Sequence, residues 1–197
     1  MKDSGLPTGA AYSPGYVTPE EARKLVTSLD GGGWSSELKR RVQHFGYRYD
    51  YKARAVTPDT YLGELPDWLH SLRDRLQADV FSDPPDQVIA NEYLPGQGIS
   101  AHVDCVPCFA DCIVSVSLLS GCEMIFRHRE SRQTASVYLE PCSALIMMGP
   151  ARYEWTHEIP TRRSDPIDGE RLPRGRRISL TFRKVIHPAQ ISRRHAG

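Results

Sequence analysis

His102-Val103-Asp104, a distant histidine in Tyr153-Glu154-Trp155-Thr156-His157, and the run Arg177-Ile-Ser-Leu-Thr-Phe-Arg183 are the residues of this chain whose types and spacing could do chemistry. Two imidazoles and one carboxylate form the ligand set of a mononuclear non-haem Fe(II) centre. That set occupies one face of the metal and leaves the other positions open for O₂ and a co-substrate. Residues two apart on a strand, or on its extended exit, point the same way, so His102 and Asp104 can approach one ion together. The third ligand must come from a segment that folds back beside them, and His157 fits best. His44, His70, His128, His187 and His195 rank behind it.

The arginine run needs its own explanation. At period two, Ile178, Leu180 and Phe182 form an apolar face, and Arg177, Ser179, Thr181 and Arg183 form the other. One reading is an edge strand with a solvated polar face. The other places that face inside a sandwich, where an unpaired guanidinium costs several kcal/mol. A dicarboxylic acid such as 2-oxoglutarate meets the need: arginine forks pair bidentately with carboxylates, and the 2-oxo acid end can chelate the metal. Asn91 and Tyr93, also two apart, share a strand face and offer an amide and a phenol to the same anion.

On these residues the chain resembles the AlkB-type Fe(II)/2-oxoglutarate dioxygenases. The matching stretches are Asn91-Glu-Tyr-Leu-Pro-Gly-Gln-Gly-Ile-Ser-Ala-His-Val-Asp104, Ser143-Ala-Leu-Ile-Met-Met-Gly149, Arg152-Tyr-Glu-Trp-Thr-His157 and Arg177-Ile-Ser-Leu-Thr-Phe-Arg183, within a similarity from about Arg40 to Val185. The resemblance implies that His102, Asp104 and His157 bind iron. It implies that Asn91, Tyr93, Arg177, Ser179 and Arg183 surround 2-oxoglutarate, with Arg177 on the distal carboxylate. Ser179 stands where the family's bacterial prototype carries asparagine.

The elements that must position these groups are mainly strands with flanking helices. Thr18-Pro19-Glu20-Glu21 starts a helix with a cap, a first-turn proline and a glutamate at the third position, and that helix runs to about Leu29 before Gly31-Gly32-Gly33. A second helix is expected from Pro66 or Asp67 to about Gln77, with Leu69, Leu72 and Leu76 on one face. Short strands are expected at about 87–94, 98–103, 112–119, 121–128, 134–139, 143–148, 152–157 and 176–185. Eight antiparallel strands suggest a double-stranded β-helix (jelly roll), which the resemblance also implies, with the helices on one sheet. Residues 159–175, rich in proline and charge, read as an exposed loop. The organisation expected is a flexible segment at 1–13 and a single dioxygenase domain at 14–186, ending in a basic tail at 187–197. Within that domain, 14–86 supply helices and an aromatic lid, and 87–186 the jelly roll. At 197 residues and 40% hydrophobic composition, one core suffices.

Phe45, Tyr47, Tyr49 and Tyr51 alternate with polar residues, so one strand face would carry all four rings. They either pack on the jelly roll or form a base-stacking lid with Arg40, Arg41 and Arg48 interleaved. Phe45, Tyr47 and Tyr49 are the expected substrate residues. Arg152 joins them, either against phosphate or a substrate carboxyl or in a surface salt bridge with Glu154 or Asp111. The overall charge of +1 hides an asymmetry: residues 161–197 hold ten Lys and Arg against three Asp and Glu, a reasonable phosphate footprint. Five cysteines argue against a simple disulfide framework. Cys105, Cys108 and Cys112 could suggest zinc or redox sensing, but reduced thiols lining a loop are the simpler expectation.

No apolar run approaches a membrane span and the start lacks a signal-peptide core, so a cytoplasmic location is expected; a monomer is the expected form, with nothing in the sequence that fixes it. The reaction implied by the resemblance is oxidative dealkylation of alkylated bases in single-stranded DNA or RNA, a repair activity giving succinate, CO₂ and formaldehyde. The alternatives are hydroxylation of a modified nucleoside in tRNA or of a protein side chain. Repair members usually carry an acidic residue immediately after the H-x-D or one further on, contacting the damaged base. Here Cys105-Val106-Pro107 follows, which looks closest to the tRNA wobble-uridine-hydroxylating branch.

Overall fold

A computed structural model describes residues 5–186. Its first helix, α1 (Pro19–Asp30), begins where the sequence encodes a reciprocal cap. The Glu21 amide donates to Thr18 Oγ1 (3.1 Å) and the Thr18 amide to Glu21 Oε2 (2.8 Å). Ala22, Leu25 and Leu29 form its buried stripe. Helix α2 (Asp67–Asp79) buries Leu69, Leu72 and Leu76 in the same cluster. Each fully buried leucine contributes roughly 2 kcal/mol, and this stripe is what fixes the helices to the sheet below.

The strands are β1 (Ala10–Ser13), β2 (Val42–Phe45), β3 (Gln87–Tyr93), β4 (Ile99–His102), β5 (Phe109–Leu119), β6 (Cys122–His128), β7 (Thr134–Leu139), β8 (Ala144–Met147), β9 (Trp155–Ile159), β10 (Ser164–Ile167), β11 (Glu170–Pro173) and β12 (Arg177–Val185). They form a six-stranded sheet ordered β1-β8-β5-β12-β3-β2 and a four-stranded sheet ordered β4-β9-β6-β7, with β10-β11 as a separate hairpin. All the pairings are antiparallel. The eight strands anticipated from the sequence make up the two facing halves of the jelly roll, with β1 and β2 as additional edges of the larger sheet.

Strand β12 lies at the centre of that sheet, with Arg177 opposite Tyr93 on β3 and Ser179 opposite Asn91 on β3 and Ser117 on β5. Ile178, Leu180 and Phe182 are fully buried under the helices. The opposite face, Arg177, Ser179, Thr181 and Arg183, is also buried, so this is no solvated edge. A second apolar cluster fills the space between the sheets, including Ile113, Met124, Phe126, Leu145 and Met147. It leaves the polar side chains of β12, β3 and β5 gathered in one interior region.

Four expectations are corrected. Residues 10–13 are not loose but pair with β8, Ala10 opposite Met147 and Ser13 opposite Ala144; residues 1–4 of the expected flexible segment lie outside the described residues. The strand expected over 152–157 begins only at Trp155. Pro150, with its fixed φ and no N–H, opens a helical turn, α3 (Gly149–Tyr153), in its place. The ring-bearing segment stops being a strand at Gly46, whose φ of +75° brings its Cα against the Asp86 carbonyl. Residues 164–173 fold into a hairpin rather than a loop, turned by Asp168 and Gly169 with φ of 50° and 85°, the two positive values of a tight hairpin turn. Fully buried Asp165 ties it down through Arg174 (2.6 and 2.7 Å) and Arg162, which also pairs with Glu123 on β6.

That network changes the meaning of the basic C-terminal segment. Arg162 and Arg174 serve the hairpin, Arg176 bonds Asp30 and Glu92, and Lys184 bonds Asp86. Much of the local positive excess is therefore spent on internal partners. The tail at 187–197 lies outside the described residues.

Candidate active site

His102 ends β4 and faces His157 on β9, the two residues being register partners with ring centroids 4.4 Å apart. Asp104 follows on the strand exit. Its Oδ1 lies 3.4 Å from His102 Nε2 and 4.0 Å from His157 Nε2. One ligand atom from each of the three residues falls within 4.8 Å of the others. Ligands bonded at about 2.1 Å and set at right angles lie roughly 3 Å apart, so a small contraction closes the triad on one ion. The Ser100 carbonyl lies 2.8 Å from His102 Nδ1 and accepts its N–H, which leaves Nε2 as the unprotonated nitrogen that can bind a metal.

The protonation states suit a metal. Burial alone would raise the Asp104 carboxyl, but the Arg183 guanidinium and the two imidazoles outweigh it and hold the group well below the usual carboxylate range. Burial pushes His157 down to about 3, with His102 adding to the effect, so its ring is neutral near pH 7. Arg183 Nε donates to Asp104 Oδ2 (2.9 Å), leaving Oδ1 toward the histidines, and Arg183 Nη1 reaches Gln87 Oε1 (3.3 Å).

A narrow cavity runs inward from the triad along Asn91, Tyr93, Ser115, Ser179, Thr181 and Arg183. Ser179 shares a 2.7 Å hydrogen bond with Ser115. Asn91 Oδ1 accepts from Arg40 Nε (2.9 Å). At the inner end of the same strand face, Arg177 is 2% exposed and stacks over the Tyr93 ring at 5.5 Å. Its Nη2 donates to Ser117 Oγ (2.8 Å), while Nε and Nη1 are buried with no partner. A buried cation with two unsatisfied donors is costly unless an anion completes it. This orphaned fork is the observation that fits a dicarboxylate: one carboxylate on Arg177, the 2-oxo acid end at the open metal positions.

The remaining expected site residues divide. Phe45 packs edge-on against Trp68 at 5.3 Å in the helix-side core, which takes it away from the metal. Tyr47 pairs with Tyr61 at 4.9 Å and lines a surface cavity of about 300 Å³ with Arg73 and Lys184. Tyr49 stays beside the centre: it packs on Phe109, over which Arg183 lies at 4.9 Å, and on Tyr51. Arg152 makes no salt bridge with Glu154 or Asp111. It is 3% exposed, and its guanidinium donates to the main-chain carbonyls of Asp104 (2.9 Å) and Cys105 (3.2 Å), bracing the loop that carries the metal carboxylate. Gln87, Ser115 and Ser117 escaped the sequence reading, and Arg40, read there with the ring segment, bonds the cavity residue Asn91. The serines alternate on β5 as Ser179 and Thr181 do on β12, and that shared period was the available signal.

The cysteines also differ from expectation. Cys105 and Cys108 are joined in a disulfide rather than lining the loop as thiols, and Cys112, Cys122 and Cys142 are free.

Comparison with known proteins agrees with this geometry. The sequence profile described as the 2OG-Fe(II) oxygenase superfamily matches residues 33–183. The tRNA (carboxymethyluridine(34)-5-O)-methyltransferase ALKBH8 of Mus musculus is 37% identical over 205 residues, which cover 91% of this chain but 31% of that protein. This chain thus spans about a third of that relative. The mitochondrial alpha-ketoglutarate-dependent dioxygenase alkB homolog 7 of Mus musculus is 33% identical over 185 residues, covering 89% of this chain and 78% of its own length. Among solved structures, OsALKBH1 shares the fold with a TM-score of 0.71 at 17% identity, over 91% of this chain and 98% of that one. With most of its length matched by the superfamily profile and by an alkB homologue aligned over 78% of its own length, the chain belongs to the AlkB-type Fe(II)/2-oxoglutarate-dependent dioxygenases.

Proposed function

We propose that this dioxygenase hydroxylates a C–H bond on an uncharged or acidic substituent of a modified nucleoside in tRNA, in preference to removing a methyl group from a cationic alkylated base. Iron and 2-oxoglutarate, when bound, supply the oxidising chemistry: 2-oxoglutarate, O₂ and R–H give succinate, CO₂ and R–OH. His102, Asp104 and His157 hold the metal, and Arg177 and Arg183 receive the co-substrate's carboxylates, with Asn91, Tyr93 and Ser179 along the wall. The chain's further task is to admit a base and to select its substituent.

The observation that carries the selection is the electrostatics of the cavity. Among the described residues lining it, Asp104 is the one carboxylate, and it is committed to the metal and to Arg183. The residues after it, Cys105, Val106 and Pro107, bring no acid. Carboxylates elsewhere are engaged too: Glu37 with Arg48, Asp86 with Lys184, and Asp111 with the Gly149 amide. A cationic base would find no counter-charge here, whereas an acidic substituent would gain from Arg40, which bonds the lining residue Asn91 and lies over the Tyr93 ring. The name of the murine relative, a tRNA-modifying protein, supports the same class of substrate.

Mass spectrometry tests the proposal. Bulk tRNA and methylated or etheno-adducted oligonucleotides are incubated with Fe(II), 2-oxoglutarate and either the protein or its His102→Ala variant. A nucleoside in tRNA that gains one oxygen only with intact His102 supports the reading. Loss of the alkyl group from the oligonucleotides, with tRNA unchanged, overturns it in favour of dealkylating repair. Succinate formed with every nucleic acid unchanged also overturns it and points to a protein side chain.

A further inference from the structure

We propose that Cys105 and Cys108 form a thiol–disulfide exchange site whose oxidation state sets how firmly Asp104 is presented to iron. The pair closes a four-residue turn, Cys105-Val106-Pro107-Cys108, that begins at the residue directly after the metal carboxylate. Both ends of the turn are wired to the centre. At its start, the Cys105 carbonyl is held by the Arg152 guanidinium that also holds the Asp104 carbonyl. At its end, Cys108 and Phe109 are buried with Val185 against Tyr47 and Tyr49. The Phe109 ring lies beneath the guanidinium of Arg183, whose Nε bonds the Asp104 carboxylate. A change in the turn therefore reaches Asp104 through its backbone and through its side-chain partner.

The turn is also reachable. Val106 is 47% exposed, Pro107 is exposed and Cys105 is half-buried, while Cys108 is buried. A small thiolate can therefore attack Cys105 Sγ. The S–S bond breaks, its electron pair passes to Cys108 Sγ, and that sulfur takes up a proton. A second small thiol attacks the resulting mixed disulfide, releases the oxidised small-molecule disulfide and leaves Cys105 as a thiol. In sum, the protein disulfide and two thiols give the protein dithiol and one small-molecule disulfide. Cys112 and Cys142 pack on the helix side and Cys122 between the sheets, so each sits in a different cluster from the exchanging pair.

After reduction, the Cys108 amide still bonds the Cys105 carbonyl (3.2 Å) and Arg152 still grips its two carbonyls, but the covalent closure is gone. Groups that orient a metal ligand from behind change metal affinity by roughly ten- to a hundredfold when lost. Loosening without loss belongs at the low end, and a roughly tenfold weaker Fe(II) affinity is expected for the dithiol form. This inference rests on the metal site alone and is independent of the substrate.

The test is an anaerobic titration of the full chain against reduced and oxidised glutathione. Alkylation and peptide mass mapping report the state of each cysteine, and chelator competition reports Fe(II) affinity. The expected result is a two-electron transition at Cys105 and Cys108 along which the Fe(II) Kd rises about tenfold. Cys142→Ser should titrate like the parent, and the Cys105→Ser/Cys108→Ser variant should hold the weak affinity at every poise. A pair that stays wholly in one state across the range, or a Kd constant within twofold through the transition, overturns the proposal. If the double variant does not fold, the parent titration decides alone.

Discussion

Replacing Arg177 with Met should strip 2-oxoglutarate binding and, in the same molecule, make the ligand-free protein more stable. Arg177 is 2% exposed and has two guanidinium nitrogens without partners and one bond to Ser117. Methionine is close in volume and fills the same slot beside Tyr93. Substituting a buried charge by an apolar side chain of similar size is neutral to stabilising, by about 1–4 kcal/mol. Losing the Ser117 bond takes back roughly 1 kcal/mol. The net is a gain of about 0–3 kcal/mol, or roughly 0–10 °C in Tm for a chain of this size. Binding moves the other way. Removing one partner of a desolvated charge pair costs about 2–5 kcal/mol, which is roughly a thirtyfold to several-thousandfold rise in Kd. Thermal and urea melts of both proteins, with and without 2-oxoglutarate beside Mn(II) in place of iron, read both effects. Calorimetry supplies the Kd. If the variant melts several degrees below the parent and binds 2-oxoglutarate within threefold of it, the orphaned cation is not the co-substrate's seat and the reasoning fails.

Three further outcomes follow from particular contacts. Arg152→Lys should weaken Fe(II) binding by about tenfold, because a single ammonium cannot hold the Asp104 and Cys105 carbonyls in the same geometry; an unchanged Fe(II) Kd with weakened tRNA binding would restore a phosphate role for this residue. His44 is pushed down to about 4, chiefly by burial, so the unfolded chain takes up its proton below about pH 6.5 while the folded chain resists until near 4. Its contribution to stability is complete above pH 6.5 and shrinks as pH falls, so His44→Gln should lose about 2 kcal/mol less than the parent between pH 7.5 and pH 5.0 in urea melts. Equal losses in the two proteins would contradict that account. Gly46→Ala should cost about 3 kcal/mol or more, since a Cβ there meets the Asp86 carbonyl at a φ of +75°; Gly63→Ala, also at positive φ but with open space around it, should cost only about 1–2 kcal/mol. Similar costs at the two sites would show that the close approach is not what Gly46 serves.

The chemistry of this protein was legible in its sequence because it depends on residue types at strand spacing. H-x-D places two ligands on one side of an extended chain. The alternation of β12 separates Ile178, Leu180 and Phe182 from Arg177, Ser179, Thr181 and Arg183 whatever packs on either side. The cap at Thr18 and the leucines of α2 are equally local. The Asp168-Gly169 hairpin was legible too, but its signal was outweighed by the proline and charge around it. Tertiary structure decided what spacing cannot express. Whether Arg152 meets phosphate or the backbone behind a metal ligand depends on α3 and the Asp104 loop lying side by side, 48 residues apart in the chain. Whether Phe45 faces a substrate or Trp68 depends on Gly46 turning the chain away after four residues of strand. The residue types determined which groups could bind iron and an anion. The resemblance pointed to Arg177 for the anion, but only the fold shows that guanidinium buried with two donors unmet, because a guanidinium's partner is set by what desolvates it and not by its neighbours in sequence.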